Sequence, residues 1–193
     1  MPKRETGATL VDLVIVLLAV GVLAAVSAPL AASVVDTSRA RHAAAFMGSR
    51  FRLARQQAVG LGANVGVVFE QTDDRWSVRV CRDGTGNGIR RADIQSGADP
   101  CFDGPYDIGQ LFPTVSISVD PTLRGPGGEA GSPDPVRFGT ADIASFSPLG
   151  SSTAGSLFLQ SRLGTQYVVR VGGVTGRIRM LWYEPATRGW RER

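Results

Sequence analysis

The chain has 193 residues, a length that suits one domain plus an appendage. Its 43% hydrophobic and 20% charged residues are typical of a globular protein, and its formal net charge is +4. One histidine and two cysteines give no basis for a zinc site or a histidine-based triad, so neither an enzyme nor a cofactor is indicated. We expect His42 to be a solvated helix residue.

The N-terminus carries the most specific motif. A short basic leader ends in Gly7, Ala8 follows, and Asp12 is the fifth residue counted from Ala8. This pattern resembles the class III signal of type IV prepilins, although the family usually has Phe at the position of Ala8 and Glu at that of Asp12. The resemblance implies that a prepilin peptidase removes residues 1–7 and leaves Ala8 as the new N-terminus.

A long apolar run follows the motif. Between Leu13 and Val35 the only interruptions are two serines, one glycine and one proline. About 20 such residues cross a hydrocarbon core. Lys3 and Arg4 precede the run, so the positive-inside rule keeps the N-terminus in the cytoplasm. We therefore predict a transmembrane helix over residues 8–35, with the rest of the chain on the far side of the membrane. The prepilin resemblance implies that this helix also serves assembly, that the membrane is a bacterial inner membrane, and that the rest lies in the periplasm or on the cell surface.

Asp12 has two interpretations. A carboxylate in a membrane helix costs about 2.5–3.5 kcal/mol when it is central and unpaired, so such a residue needs a partner. The resemblance implies that this partner is the N-terminal amine of a neighbouring pilin subunit during assembly. The alternative places Asp12 in the headgroup region, where water reaches it.

The helical pattern continues beyond the membrane run. An apolar stripe with steps of three and four residues predicts an amphipathic helix over residues 36–62, and Gly60 and Gly62 supply its stop. Residues 8–60 therefore form one long helix, which Pro29 can bend. The stripe consists of Ala40, Ala44, Met47, Phe51, Ala54, Ala58 and Leu61.

Residues 63–193 are predicted to form a β-rich head. Short β-branched segments alternate with Gly/Pro-rich loops, notably residues 120–135, which are expected to form a mobile surface loop. The chain is thus predicted to be α+β, a long helix packed on an antiparallel β-sheet. The predicted strands are 65–69, 76–81, 115–119, 156–160, 167–171 and 177–182.

Cys81 and Cys101 fall in the segment placed outside the membrane. An oxidising compartment favours a disulfide between them, the alternative being two unrelated buried thiols. Between them, Asp83 to Asp93 has oxygen-bearing side chains and glycines spaced as in a calcium loop. Because Ile94 stands at the twelfth position, where an acidic ligand is needed, a plain Gly-rich loop is the preferred interpretation.

The last third shows a second resemblance. The segments from Phe146 to Gly150, Gly155 to Leu159, Tyr167 to Val171 and Gly176 to Met180 are similar to the closing strands of the GspH/FimT family of minor pseudopilins. The resemblance implies a minor subunit of a type II secretion pseudopilus or a type IV pilus, with other pilin subunits as partners. The alternative function is a DNA-binding minor pilin that takes up DNA in natural competence.

The C-terminal region is rich in arginine. Residues 162–193 hold seven arginines and two glutamates, a net charge of +5. Alternation places Arg177 and Arg179 on one face of their strand, and together with Arg188 and Arg191 they form a candidate DNA-binding set. The alternative is a solvated face or a subunit contact, because Lys3 is the only lysine and arginine is the usual cation of this chain.

Overall fold

The structure is a computed structural model that describes residues 10–73 and 75–192, without the side chains of residues 26–30. Its first element is helix α1 (Leu10–Leu61). The predicted leader, with Gly7 and Ala8, lies outside the described residues. The remaining elements are β1 (Val65–Thr72), β2 (Arg75–Arg82), α2 (Arg91–Ser96), β3 (Cys101–Asp107), α3 (Ile108–Leu111), β4 (Val115–Ser116), β5 (Val136–Arg137), β6 (Ile143–Phe146), β7 (Gly155–Ser161), β8 (Gln166–Val171), β9 (Ile178–Glu184) and β10 (Gly189–Glu192).

The chain divides into two compact units, Met1–Val35 and Asp36–Arg193, and α1 contributes residues to both. In the first unit, the large apolar side chains that the structure describes are exposed. Among the described residues, no helix is both long and apolar enough to cross a membrane. The transmembrane helix predicted over residues 8–35 is therefore not found in the part of the chain that the structure describes.

In the second unit, α1 packs on the sheets through the predicted stripe. All of its members from Ala40 to Ala58 are fully buried, whereas Leu61 is 52% exposed. Alanines let the sheet backbone approach the helix closely, and Phe51 fills the centre with Phe69 and Phe138. The helix ends at Leu61 because Gly62 takes a left-handed φ of 62°, a common way to close a helix.

The strands form two antiparallel sheets. The first has the order β3-β2-β1-β6 and the second the order β10-β9-β8-β7-β4, with β5 also paired to β7. One hydrophobic core joins α1 to both sheets. The predicted α+β class, with a helix packed on antiparallel β-structure, is confirmed.

Alternation gives the second sheet two different faces. Its inner face, which contacts α1, carries Leu157, Tyr167 and Val169 in the main core. Its outer face carries Phe158 and Val168, together with Leu181, in a smaller cluster. These two faces determine where the C-terminal arginines lie.

Candidate functional site

The apolar half of α1 is the first candidate site. Its large side chains from Leu10 to Leu23 are 44–78% exposed, a range set by Val14 and Leu10. Asp12 lies among them, in the first turn of the described helix and exposed. The segment thus combines a continuous apolar surface with a single acidic group.

Arg177 and Arg179 lie on the same face, as alternation predicts. Both reach the carboxylate of Glu192, at 3.5 Å from Arg177 and 3.7 Å from Arg179. Glu192 lies opposite Leu181 of the outer-face cluster, so this group belongs to the outer face. One carboxylate therefore partly neutralises both arginines of the predicted motif.

Arg191 lies on the other face of the sheet. It is paired across the strands with Trp182, which packs on the main core, and its guanidinium is 2.5 Å from Glu184. Arg188 occupies the turn between β9 and β10, with a φ of 50°. The four arginines grouped from the sequence are therefore distributed over two faces and a turn.

The aromatic side chains beside these arginines are already engaged. Trp190 meets Tyr183 and Phe158 edge-to-face, at centroid distances of 5.5 and 5.7 Å. Its indole N–H donates to the carbonyl oxygen of Arg124 at 2.7 Å. Stacking of a nucleic-acid base on Trp190 would have to compete with this packing.

The Gly/Pro-rich segment 120–135 lies against this outer face. It has no regular secondary structure, yet besides the bond from Trp190 it holds Glu129 3.1 Å from Arg170. Burial raises the pKa of Glu129, but hydrogen bonds from its own and the Gly127 backbone and the charge of Arg170 outweigh burial and lower it. The segment that we expected to be mobile thus has specific anchors, and its carboxylate neutralises another outer-face arginine.

The disulfide between Cys81 and Cys101 is present, as predicted. The two residues lie directly opposite each other on β2 and β3 and are 20 positions apart in sequence. Cys81 is fully buried, so the bond ties the edge strand β3 to the core. Its role in the described structure is to hold the loop between the two strands.

That loop uses its carboxylates to bind backbone N–H groups. Asp83 is 5% exposed and accepts bonds from Gly86 and Gly88 at 2.7 and 2.8 Å, and Asn64 donates to it as well. Burial raises the pKa of Asp83, but these hydrogen bonds together lower it below its ordinary value.

Asp99 acts in the same way, because it accepts bonds from the Gly84 and Arg90 amides. Within the described residues, no group of three or more His, Cys, Asp or Glu side chains could hold a metal ion. The carboxylates of Asp83 and Asp99 thus hold the backbone of this Gly-rich loop. His42 is exposed on α1.

A groove that we did not predict lies between α1 and the turn before β9. It has a volume of about 390 Å³ and is lined by Arg52, Arg55, Gln56, Val59 and Ile178. We call it the helix–turn groove. The sequence signal was the i, i+3 and i+4 spacing of Arg52, Arg55 and Gln56, which places them on one side of the helix.

Gly176 allows Arg55 to pass beside this turn. Its φ is 58°, and a Cβ there would lie 2.6 Å from the carbonyl oxygen of Gly150 and 2.9 Å from the Nε of Arg55. The glycine of the Gly176–Arg179 motif therefore has a packing role in the groove, separate from the charges of Arg177 and Arg179.

Comparisons with protein-family models, with curated proteins and with solved structures found no match to this chain.

Proposed function

We propose that this chain is a minor subunit of a type IV pilus or a type II secretion pseudopilus, assembled through the apolar half of α1. The observation that carries the proposal is the contrast along one helix. The stripe residues Ala40, Ala44, Met47, Phe51, Ala54 and Ala58 are fully buried, whereas the large apolar side chains from Leu10 to Leu23 are exposed.

Such an apolar surface is unfavourable in water and needs to be covered by other apolar groups. Burying one Leu, Val or Ile side chain contributes about 1.5–3 kcal/mol, and α1 exposes many of them between Leu10 and Leu23. The helices of neighbouring subunits provide this cover in a filament. In the proposal, the inner membrane provides it before assembly.

The prepilin-like motif supports the same function. Cleavage by a prepilin peptidase after Gly7 would create an amine at Ala8, four residues before Asp12. An ion pair between that amine and the Asp12 carboxylate of a neighbouring subunit would fix the register of the two helices. Asp12 is therefore the residue that we assign to assembly.

A charge placed within the apolar surface tests the proposal. Leu17, which is 62% exposed, becomes Asp in one variant, and Leu149, a head residue that is 96% exposed, becomes Asp in the control. In a host with pilus or pseudopilus machinery, we expect Leu17→Asp to be missing from sheared filaments and Leu149→Asp to be incorporated. Normal incorporation of Leu17→Asp would contradict the proposal.

A second candidate function is DNA binding in natural competence. It is favoured by the net charge of +5 over residues 162–193, since cations supply most of the sequence-independent affinity for DNA. Anisotropy titration of the full chain, in a non-ionic detergent, against a fluorescent DNA duplex tests it. Absence of binding at low salt would exclude this function.

A further inference from the structure

Four of the six described arginines between residues 162 and 192 already have a carboxylate partner. Glu192 serves Arg177 and Arg179, Glu129 serves Arg170, and Glu184 serves Arg191. A phosphate that binds one of these guanidinium groups must first displace an intramolecular partner. The excess of arginine in the sequence therefore overstates the charge that the outer face offers to a ligand.

The arginines of the helix–turn groove differ from these in their ion pairing. Among residues 10–73 and 75–192, no carboxylate forms an ion pair with Arg52 or Arg55. Both line the groove, with the Gln56 amide beside them and with Val59 and Ile178 as apolar lining. An anionic ligand could bind both guanidinium groups there without breaking an existing ion pair.

The groove also holds one of its cations in place. Arg55 lies against the turns at Gly150 and Gly176, where its atoms approach within 3.5 and 2.9 Å of the positions that a Cβ would take. Arg52 and Arg55 are three residues apart on a helix, a spacing of about 5–6 Å between Cβ atoms. Two guanidinium groups so close together could bind neighbouring phosphate groups of one ligand, because each guanidinium fork binds phosphate oxygens in a bidentate way.

We propose that the helix–turn groove binds the phosphate backbone of a nucleic acid, with Arg52 and Arg55 as the cations that neutralise the phosphates. This inference rests on the second candidate function and changes its location from the outer face to α1. None of the lining residues is aromatic, so the groove has no platform for stacking bases. Binding there depends on the backbone and not on base sequence.

The test compares two variants with the same change in charge. Arg52→Gln/Arg55→Gln removes the groove cations, and Arg177→Gln/Arg179→Gln removes those of the outer face. The full chain in non-ionic detergent is titrated with a fluorescent DNA duplex at several salt concentrations. The plot of log affinity against log salt concentration has a negative slope. We expect the magnitude of this slope to decrease by about two units for the groove variant and to change little for the outer-face variant.

Three further measurements keep the result interpretable. Thermal melting identifies a variant that fails to fold, and Arg52→Lys/Arg55→Lys retains the charge and is expected to keep the slope. Loss of slope only in the Arg177→Gln/Arg179→Gln variant would overturn the groove assignment. Displacement of the duplex by polyglutamate at equal charge concentration would also overturn it and indicate an acidic protein partner. If the wild-type chain binds no duplex, the second candidate function itself fails.

Discussion

Gly176 has a positive φ of 58°, and its surroundings are tight. A Cβ atom added at Gly176 would lie only 2.6 Å from the carbonyl oxygen of Gly150. Either feature alone disfavours a side chain, and at Gly176 they coincide. Gly164 is the useful comparison, because it has a φ of 87° and open space around it. The two glycines separate the effect of backbone conformation from that of close packing.

We expect Gly176→Ala to destabilise the head by about 2 kcal/mol or more, because strain in φ and steric overlap both act. Gly164→Ala should cost only about 1–2 kcal/mol for the left-handed conformation. Urea denaturation followed by tryptophan fluorescence measures both, since all three tryptophans lie in the head. Equal losses would show that the Gly150 turn moves away without penalty.

Asp83 gives a prediction for pH. Its pKa is lowered in the folded head, so the ionised form stabilises folding. This stability is fully present above the unfolded pKa of about 3.9 and is lost as the pH falls through the lower folded pKa. At pH 7 we expect Asp83→Asn to cost about 1–3 kcal/mol, because the carboxylate accepts several buried N–H groups.

The cost of Asp83→Asn should shrink below about pH 4, because the wild-type carboxyl then takes up a proton in the unfolded chain before it does so in the folded head. Denaturation curves at pH 7 and pH 3 measure this. The control is Asp73→Asn, an exposed turn residue whose φ of 53° asparagine tolerates well. A cost for Asp83→Asn that is the same at both pH values would contradict the role of its charge.

At the scale of elements, the proposed function assigns assembly and folding to different parts of helix α1. Asp12→Ala changes a residue of the first unit, whereas the hydrophobic core lies in Asp36–Arg193. We therefore expect the melting curve of the head to stay unchanged and incorporation into filaments to be abolished. Immunoblots of sheared filaments, with melting of the purified variant as the control, distinguish the two. Normal incorporation would mean that the carboxylate has no essential partner.

The β2–β3 pair depends on its covalent bond. A disulfide that closes a loop of about 20 residues contributes roughly 3 kcal/mol by limiting the unfolded chain. We expect Cys81→Ala/Cys101→Ala to lose about this amount in urea denaturation, and reduction of the wild-type chain to have a similar effect. Peptide mapping without reductant provides the control, and two free thiols in protein from the periplasm would contradict the pairing.

Elements with a strong periodic pattern could be predicted from the sequence. The buried stripe of α1 and strands β1, β2, β7, β8 and β9 lie where we expected them. Strand β3 was missed because Gly104 and Pro105 disrupt its pattern, and it depends on β2 for hydrogen bonds. Residues 115–119 alternate as a strand should, but only Val115–Ser116 pair with β7. Val115 and Ile117 pack in the main core, whereas Val119 belongs to the outer-face cluster.

The candidate site also has features that the sequence could predict and features that it could not. Spacing within one strand placed Arg177 and Arg179 together correctly. The face on which Arg191 lies depends on the register between β9 and β10. That register depends on the conformation of the turn between the two strands, which could not be predicted from the sequence. Nor could spacing reveal that Glu129 and Glu192 neutralise outer-face arginines, since Glu129 comes from a distant loop.

At the scale of the whole molecule, the proposed function requires a processed chain. We expect protein extracted from membranes to begin at Ala8, because Gly7–Ala8 matches the prepilin junction. Mass spectrometry of the intact protein measures this, and a host without prepilin peptidase provides the control. A mature chain that begins near Ala31 would indicate an ordinary secretory signal and contradict the pilin-like function.

The disulfide also changes what a protease can achieve. Between Cys81 and Cys101 the backbone offers trypsin three arginines, Arg82, Arg90 and Arg91. A single cut at any of them breaks the chain but releases no fragment, because the Cys81–Cys101 bond still joins the two pieces. A head nicked in this loop would run as intact protein on a gel until it is reduced, and its strands on both sides of the cut would stay linked.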